Sequence, residues 1–219
     1  PGPVSSLDTG TEFAVASTIT GGAVPGVITA QQMEVTITTS DGITGGIIRL
    51  PAANYQTTQQ LIDGLNAAIT GNDRLAGKLI AQEDPAAAGS VQLRTTFGGT
   101  NVVLNVADVG TGTALATLGF GAAGTASSVA TTATALNDLA QVGTSLQAGD
   151  VLRFAGTRSD GTAYSGTFTV AAGATLNDLV GSVATAFGDN VTGSIDLTGK
   201  IRLTDSAGAS VSGFTINVT

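Results

Sequence analysis

Few residues in this sequence could do chemistry, and each grouping points to a different reaction. Glu83 and Asp84 form the one adjacent acid pair. With a further carboxylate they could hold calcium, and glycoside hydrolysis needs two facing carboxylates. Arg153 with Arg158, and Arg94 with Arg202, could bind an acidic ligand. Val109-Gly110-Thr111-Gly112-Thr113 has the small residues of a dinucleotide-binding turn. Tyr55 and Tyr164 are lone aromatic hydroxyls.

Each grouping also has a structural reading, and that reading is favoured. No Asp-x-Asp-x-Asp-Gly loop and no Gly-Gly-x-Gly-x-Asp repeat accompanies Glu83-Asp84, so a solvated turn before Pro85 suffices. The 109–113 stretch lacks the third glycine and the later acid of a nucleotide fingerprint. A tight loop before a short Leu115–Leu118 helix accounts for it. The arginines read as exposed strand residues that protect sheet edges. Both tyrosines read as packed beside strands. Asp41 and Asp160 read as turn residues, and Asp178 as an acid at a helix N-terminus, where it complements the dipole. Catalytic, cofactor-binding and metal-binding residues are therefore all expected to be none.

Composition narrows the chemistry further. There is no His, Cys or Trp. A Ser-His-Asp triad, a Cys nucleophile and His- or thiolate-ligated metals are excluded. Eight bases against sixteen acids leave a net charge of −8, which disfavours nucleic acid. Aromatics at 4% supply little stacking surface for bases or sugars. Charged residues are only 11%, with 31 glycines and much Ala, Thr, Val and Ser. No apolar run reaches the ~20 residues of a membrane span. Pro1-Gly2-Pro3-Val4 reads as a cut edge rather than a signal peptide.

The elements that would position these residues come in a diverged repeat. Thr57–Ile69 and Thr175–Phe187 read as amphipathic helices. Thr57 with Gln60, and Thr175 with Asp178, are start signals of the capping-box kind. Leu61, Leu65, Ala68 and Ile69 share one face of the first helix; Leu179, Val183, Ala186 and Phe187 share one face of the second. The helices align without a gap, Thr57 on Thr175 and Ile69 on Phe187. Before them, Met33–Thr39 and Ile43–Leu50 flank Ser40-Asp41-Gly42, while Val151–Ala155 and Ala163–Val170 flank Ser159-Asp160-Gly161. Asp-Gly between β-prone runs predicts a hairpin. After them come Lys78–Gln82 and Val191–Ile195, then Gly89–Thr95 and Gly199–Thr204, then Leu104–Val106 and Ile216–Val218.

The predicted fold is mainly β with α+β units: two small antiparallel-sheet modules, each carrying one helix across a sheet face. The expected division is 1–27 as an N-terminal strand and connection, 28–119 as a first ββαβββ-like module, 120–145 as linker and short helical turn, and 146–219 as a second ββαβββ-like module. Residues 1–27 contain one strand, Glu12–Thr18, and turn signals at Gly21-Gly22 and Pro25-Gly26. Gly121–Thr132 reads as a linker or loosely packed crossover, and Leu136–Leu139 as a helical turn. The expected cores are Val35, Ile37, Ile48, Leu61, Leu65, Ile69, Leu79, Val91, Leu93 and Leu104, then Leu152, Phe154, Phe168, Leu179, Val183, Phe187, Ile195, Ile201, Leu203 and Phe214.

The two units resemble the repeat in the outer domains of bacterial flagellar axial proteins: flagellin, the hook protein and the hook-associated and cap proteins. The residues that carry the resemblance are the hairpin, Thr175-Leu176-Asn177-Asp178-Leu179-Val180, Lys200-Ile201-Arg202-Leu203-Thr204 with a turn at Gly208, and their counterparts in Thr57–Ile69 and Val91–Thr95. Leu118-Gly119-Phe120 is similar to an ending common in that repeat. Leu136-Asn137-Asp138-Leu139 before Ala148-Gly149-Asp150 is most similar to long hook proteins. The resemblance implies a structural, non-enzymatic role without cofactors, outside the cell on the bacterial flagellum, in a hook or filament subunit. The implied partners are other copies of the same subunit in a helical tubular assembly, with neither nucleic acid nor membrane. Such proteins polymerise through long heptad-rich terminal helices, which this sequence lacks, so an excised, monomeric outer portion is implied. The alternative is an extracellular adhesin, phage tail-fibre or surface-layer binding module, because Thr/Gly/Ala-rich β domains recur in all of these.

Overall fold

The computed structural model of the chain describes residues 5–8, 12–158, 162–188, 190–205 and 211–218. It is mainly β, with short helices between antiparallel strands. Two compact units form. One comprises Ala14–Ser128 and Ala140–Ser145; the other comprises Pro1–Phe13, Val129–Leu139 and Leu146–Thr219. They are called the early and the late unit here.

The N-terminal segment divides between the units. Strand β1 (Ser5–Asp8) belongs to the late unit and β2 (Ala14–Ala23) to the early one. In the early unit, β3 (Gly26–Ile28) is followed by β4 (Gln31–Thr39) and β5 (Gly42–Leu50). The expected hairpin is present, with Thr39 opposite Gly42 and Ser40-Asp41 at the tip. Strand β6 (Ala53–Tyr55) pairs with β3 as a small ribbon. Helix α1 (Thr58–Thr70) follows, then β7 (Leu79–Glu83), β8 (Ser90–Gly98), β9 (Val103–Asp108), α2 (Ala114–Leu118) and the short β10 (Ser128–Val129). In the late unit a 3-10 turn at Leu136–Asp138 precedes β11 (Val151–Arg158) and β12 (Ala163–Thr169). Helix α3 (Leu176–Phe187), β13 (Val191–Ile195), β14 (Ile201–Asp205) and β15 (Val211–Val218) complete it. The turns at Ser159–Gly161 and Gly208 lie outside the described residues.

The five expected strands of each unit do not form one sheet. They divide between two. In the early unit the hairpin joins the last strand in the order β5-β4-β9, and β8 and β7 join β2 in the order β10-β2-β8-β7. The late unit repeats this plan as β12-β11-β15 and β1-β14-β13. Each helix packs against an edge strand of both sheets: α1 on β5 and β7, α3 on β12 and β13. A single helix stripe then covers two apolar sheet faces, which a flat five-stranded sheet would not allow.

All ten expected early-unit core residues are buried. In the late unit Leu152, Phe154, Leu179, Val183, Phe187, Ile201 and Leu203 are buried, and Phe168 and Ile195 are half-buried. The side chain of Phe214 lies outside the described residues.

Both helix starts differ in detail. Thr57 Oγ1 accepts from Gln60 N–H (3.2 Å), but the Gln60 side chain reaches back one residue further, to Gln56 N–H (2.8 Å). Asp178 closes the reciprocal contact at α3, accepting from Thr175 N–H and Oγ1, both at 2.8 Å. Ala68 and Ala186 are only half-buried, whereas Ile62, Val180 and Ala184 are buried, so both stripes turn toward those positions. Among the described residues no helix is long and apolar enough to cross a membrane.

Candidate functional site

The carboxylates come first, because they carry most of the reactive chemistry in the sequence. Asp84 is not solvated; it is 5% exposed. Its Oδ2 accepts from Thr20 Oγ1 (2.7 Å) and its Oδ1 from Ala86 N–H (2.8 Å). Glu83 Oε1 accepts from Gly89 N–H (2.7 Å). Both acids therefore organise the 84–90 turn. Asp41 sits at the hairpin tip, where its N–H donates to Thr39 Oγ1 (3.2 Å). The Thr175 contacts, backbone first and then side chain, hold the Asp178 carboxyl below its ordinary range. Asp160 lies outside the described residues.

Asp196 is the acid that sequence reading missed. Its Oδ1 accepts from Thr198 Oγ1 (2.7 Å), Thr198 N–H (2.8 Å) and Lys200 N–H (3.0 Å). The Thr198 hydroxyl is the main cause of its lowered pKa. Asp-x-Thr-Gly before a strand was the available signal, since Asp side chains readily bond the backbone two residues on.

The arginines separate. Arg94 is 1% exposed on the central strand β8, so the reading of it as an exposed edge residue is corrected. Its Nη1 donates to Gln82 Oε1 (3.4 Å). Arg202 and Arg153 are exposed on strands of the late unit. Strands β8, β11 and β14, which carry Arg94, Arg153 and Arg202, are each paired on both sides, so none of the three guards a sheet edge.

Tyr55 is buried against α1, where its hydroxyl donates to Pro51 C=O (3.4 Å) and desolvation raises its pKa. Tyr164 stacks on Phe187 at 5.6 Å between centroids. The 109–113 stretch is a turn closed by Gly112 N–H to Val109 C=O (3.1 Å), and Asp108 Oδ1 caps α2 through Leu115 N–H (2.9 Å).

The polar groups that do converge stitch strands together. Gly21-Gly22, expected as a turn, lies inside β2. A Cβ at Gly21 would stand 2.6 Å from the Phe120 ring, so small residues here receive the Leu118-Gly119-Phe120 ending. Within the Gly121–Thr132 stretch, expected as linker or loosely packed crossover, residues 122–127 are bonded on both sides. Val106 N–H donates to Ala122 C=O, Gly124 N–H to Leu104 C=O and Ser127 N–H to Val102 C=O, while Thr125 N–H donates to Thr18 C=O. Ser17 Oγ donates to Thr125 C=O and accepts from Leu104 N–H (2.8 Å). A Cβ on Gly124 would come within 2.6 Å of Thr18 C=O. Gly/Ala/Ser composition here serves close backbone approach rather than flexibility.

Two shallow depressions of about 260 Å³ each lie in the late unit. Arg153, Phe154 and Ser165 line one; Thr131, Asp196 and Leu197 line the other. Among the described residues no group of three or more acids could hold a metal ion. Among the described residues, Val27, Ile43 and Leu197 are the large apolar side chains that stand exposed, on separate turns and edges. What the surface offers is sheet edge and short hydroxyl side chains: Ser165, Thr167 and Thr169 are exposed along β12.

No protein-family model matches the chain, and no curated protein matches it. Among solved structures, the crystal structure of the flagellar cap protein from Helicobacter pylori aligns with 98% of this chain at 11% identity and a TM-score of 0.28. The match spans 56% of that protein's chain.

Proposed function

We propose that this chain is a structural, non-enzymatic component of the bacterial flagellum: the surface-exposed domains of a hook or filament subunit. The observation that carries the reading is the duplicated module. Hairpin, helix and three further strands recur in the same order, sheet pairing and helix placement. The residues that repeat are those that resemble the axial-protein repeat. The 136–150 segment favours a hook subunit. There, Asn137 brackets Leu146 through Nδ2 to C=O (3.0 Å) and Oδ1 from N–H (2.7 Å).

The mechanism is mechanical. β-rich modules project from a tube outside the cell and touch neighbouring copies laterally. Exposed Thr and Ser side chains make short, exchangeable hydrogen bonds. Large buried aromatic anchors would instead lock one register, because such residues concentrate binding energy. Contacts of the first kind let neighbours slide as a tube bends. The net charge of −8 keeps densely packed copies soluble.

Immunogold labelling of intact source cells tests the reading. Gold confined to a short curved segment at the flagellar base is expected. Gold along the filament would move the assignment to a filament subunit. Gold on the cell body with bare flagella would refute it and favour an adhesin or surface-layer module.

A further inference from the structure

The two units are built alike except at one seam. In the early unit the extended segment Ala122–Ser127 lies where β2 and β9 come together. Its backbone bonds both strands. Val106 N–H donates to Ala122 C=O (3.0 Å), Gly124 N–H to Leu104 C=O (2.9 Å) and Thr125 N–H to Thr18 C=O (2.9 Å). Small residues are required, because a Cβ on Gly124 would stand 2.6 Å from Thr18 C=O.

Register carries this seam into the late unit. Ile19 lies opposite Leu93 and Leu7 opposite Leu203, the matching positions of the repeat. Ser5-Ser6 therefore stand where Ser17-Thr18 stand. Val35 lies opposite Val106, and Phe154 opposite Ile216; Val35 and Phe154 each precede the Asp-Gly of their hairpin by six residues. Phe214 and Ile216 therefore stand where Leu104 and Val106 stand. Strands β1 and β15 lie side by side, as β2 and β9 do.

The alternation of backbone bonds leaves groups pointing out of both sheets. Val170 N–H donates to Asp150 C=O, so the even-numbered residues of β11 bond β12 and the odd-numbered ones bond β15. Phe214 and Ile216, opposite Gly156 and Phe154, thus turn N–H and C=O away from β11. Asp196 N–H donates to Lys200 C=O, so Leu203 bonds Leu7, and Ser6 turns its own groups away from β14. Among the described residues no strand pairs with either edge. Helix α3 packs on β12 and β13, at the far edges of the same two sheets. Strand β15 contains no charge and no proline, the usual protections of an edge.

We propose that the β1–β15 seam is a peptide-docking site. Its occupant is an extended segment of small, uncharged residues, with the chemistry of Ala122–Ser127, carried by a partner polypeptide. The segment adds as a strand: Ile216 N–H donates to it, and the C=O groups of Phe214 and Ser6 accept from it. Main-chain bonds hold such a strand, and close backbone approach selects glycine at its centre. The duplicated module alone carries this site, so it does not depend on the flagellar reading.

The test supplies the segment at high effective concentration. A copy of Ala122–Ser127 is appended to the full chain after Thr219, through a Gly/Ser linker as long as residues 109–121. Hydrogen exchange is read at the Ile216 amide. In the unmodified chain that amide should exchange far faster than the amide of Val106. The appended copy should slow it roughly tenfold or more, while Asn217, already bonded to β11, changes less. Gly124→Val in the appended copy should remove the protection. Equal exchange at Ile216 with and without the copy, or equal protection by its Gly124→Val form, overturns the inference. An unmodified chain that protects Ile216 as well as Val106 in dilute solution also overturns it, because the seam is then filled from within. Protection of the unmodified chain that rises with protein concentration makes a second copy the occupant and overturns it likewise.

Discussion

Asn66→Ala is the perturbation that most directly probes how a helix closes a sheet edge. The substitution removes the donor to Ala81 C=O and the acceptor for Ala81 N–H, at 2.9 and 2.8 Å. Ala81 is 4% exposed, so water does not readily replace the lost side chain. A typical hydrogen bond contributes ~0.5–1.5 kcal/mol net, and a buried group left unpaired costs ~1–3 kcal/mol. Alanine's better helix propensity returns only ~0.5 kcal/mol. The expected loss is about 2–4 kcal/mol, read by urea denaturation of the early unit. Hydrogen exchange gives the residue-level readout, because the Ala81 amide should lose protection while that of Leu93 keeps it. Asn72→Ala is the internal control. Asn72 Nδ2 donates to half-buried Ile47 C=O at 3.2 Å and its Oδ1 accepts from exposed Arg74 N–H at 3.1 Å, both longer and closer to water than the Asn66 bonds, so its removal should cost about 1 kcal/mol. If Asn66→Ala cost no more than Asn72→Ala, or if Ala81 stayed protected, the edge clamp would not be a clamp.

Three further outcomes are expected. Gly124→Ala should destabilise the early unit by ~1–3 kcal/mol, since its Cβ would stand 2.6 Å from Thr18 C=O and 2.9 Å from Leu104 C=O. Gly121→Ala, whose Cβ would approach Ala123 C=O no nearer than 3.9 Å, should change the thermal midpoint little. Ser17→Ala should cost ~1–3 kcal/mol in chemical denaturation, because Leu104 N–H loses the acceptor that it has in a buried seam. The depressed pKa values of Asp178 and Asp196 fix the sign of an acid effect. Their contributions are fully present above the unfolded-state pKa and are lost as pH falls below about 4. Asp178→Asn should thus lower the thermal midpoint of the late unit at pH 6 and differ less from the parent near pH 2. A gap that widened in acid would contradict the cap.

The helices, their buried faces and the doubling of the module were legible in the residues themselves. Leu61, Leu65 and Ile69, like Leu179, Val183 and Phe187, repeat at helical spacing, and periodicity within one element depends only on that element's own residues. The Ser40-Asp41 hairpin was legible for the same reason: its partners are neighbours in the chain. Asp41, Asp178 and the tyrosines were legible as turn, cap and packing residues, but the burial of Asp84 was not. Asp84 and Arg94 look like surface residues by type, and only the elements around them take them out of water.

Tertiary structure alone decided which strand edges meet. No local signal told β1 to join β14 while β2 joined β8, or told the Gly/Ala/Ser stretch 121–128 to run along the early unit's two sheets. Backbone N–H and C=O groups are the same in every residue except proline, so edge pairing leaves little trace in side-chain type. It is settled by which edges remain free once each helix has covered its faces. Asn66 and Ala184 mark that difference most sharply: they are equivalent positions on equivalent helices, but only Asn66 can bond the backbone of the strand beside it.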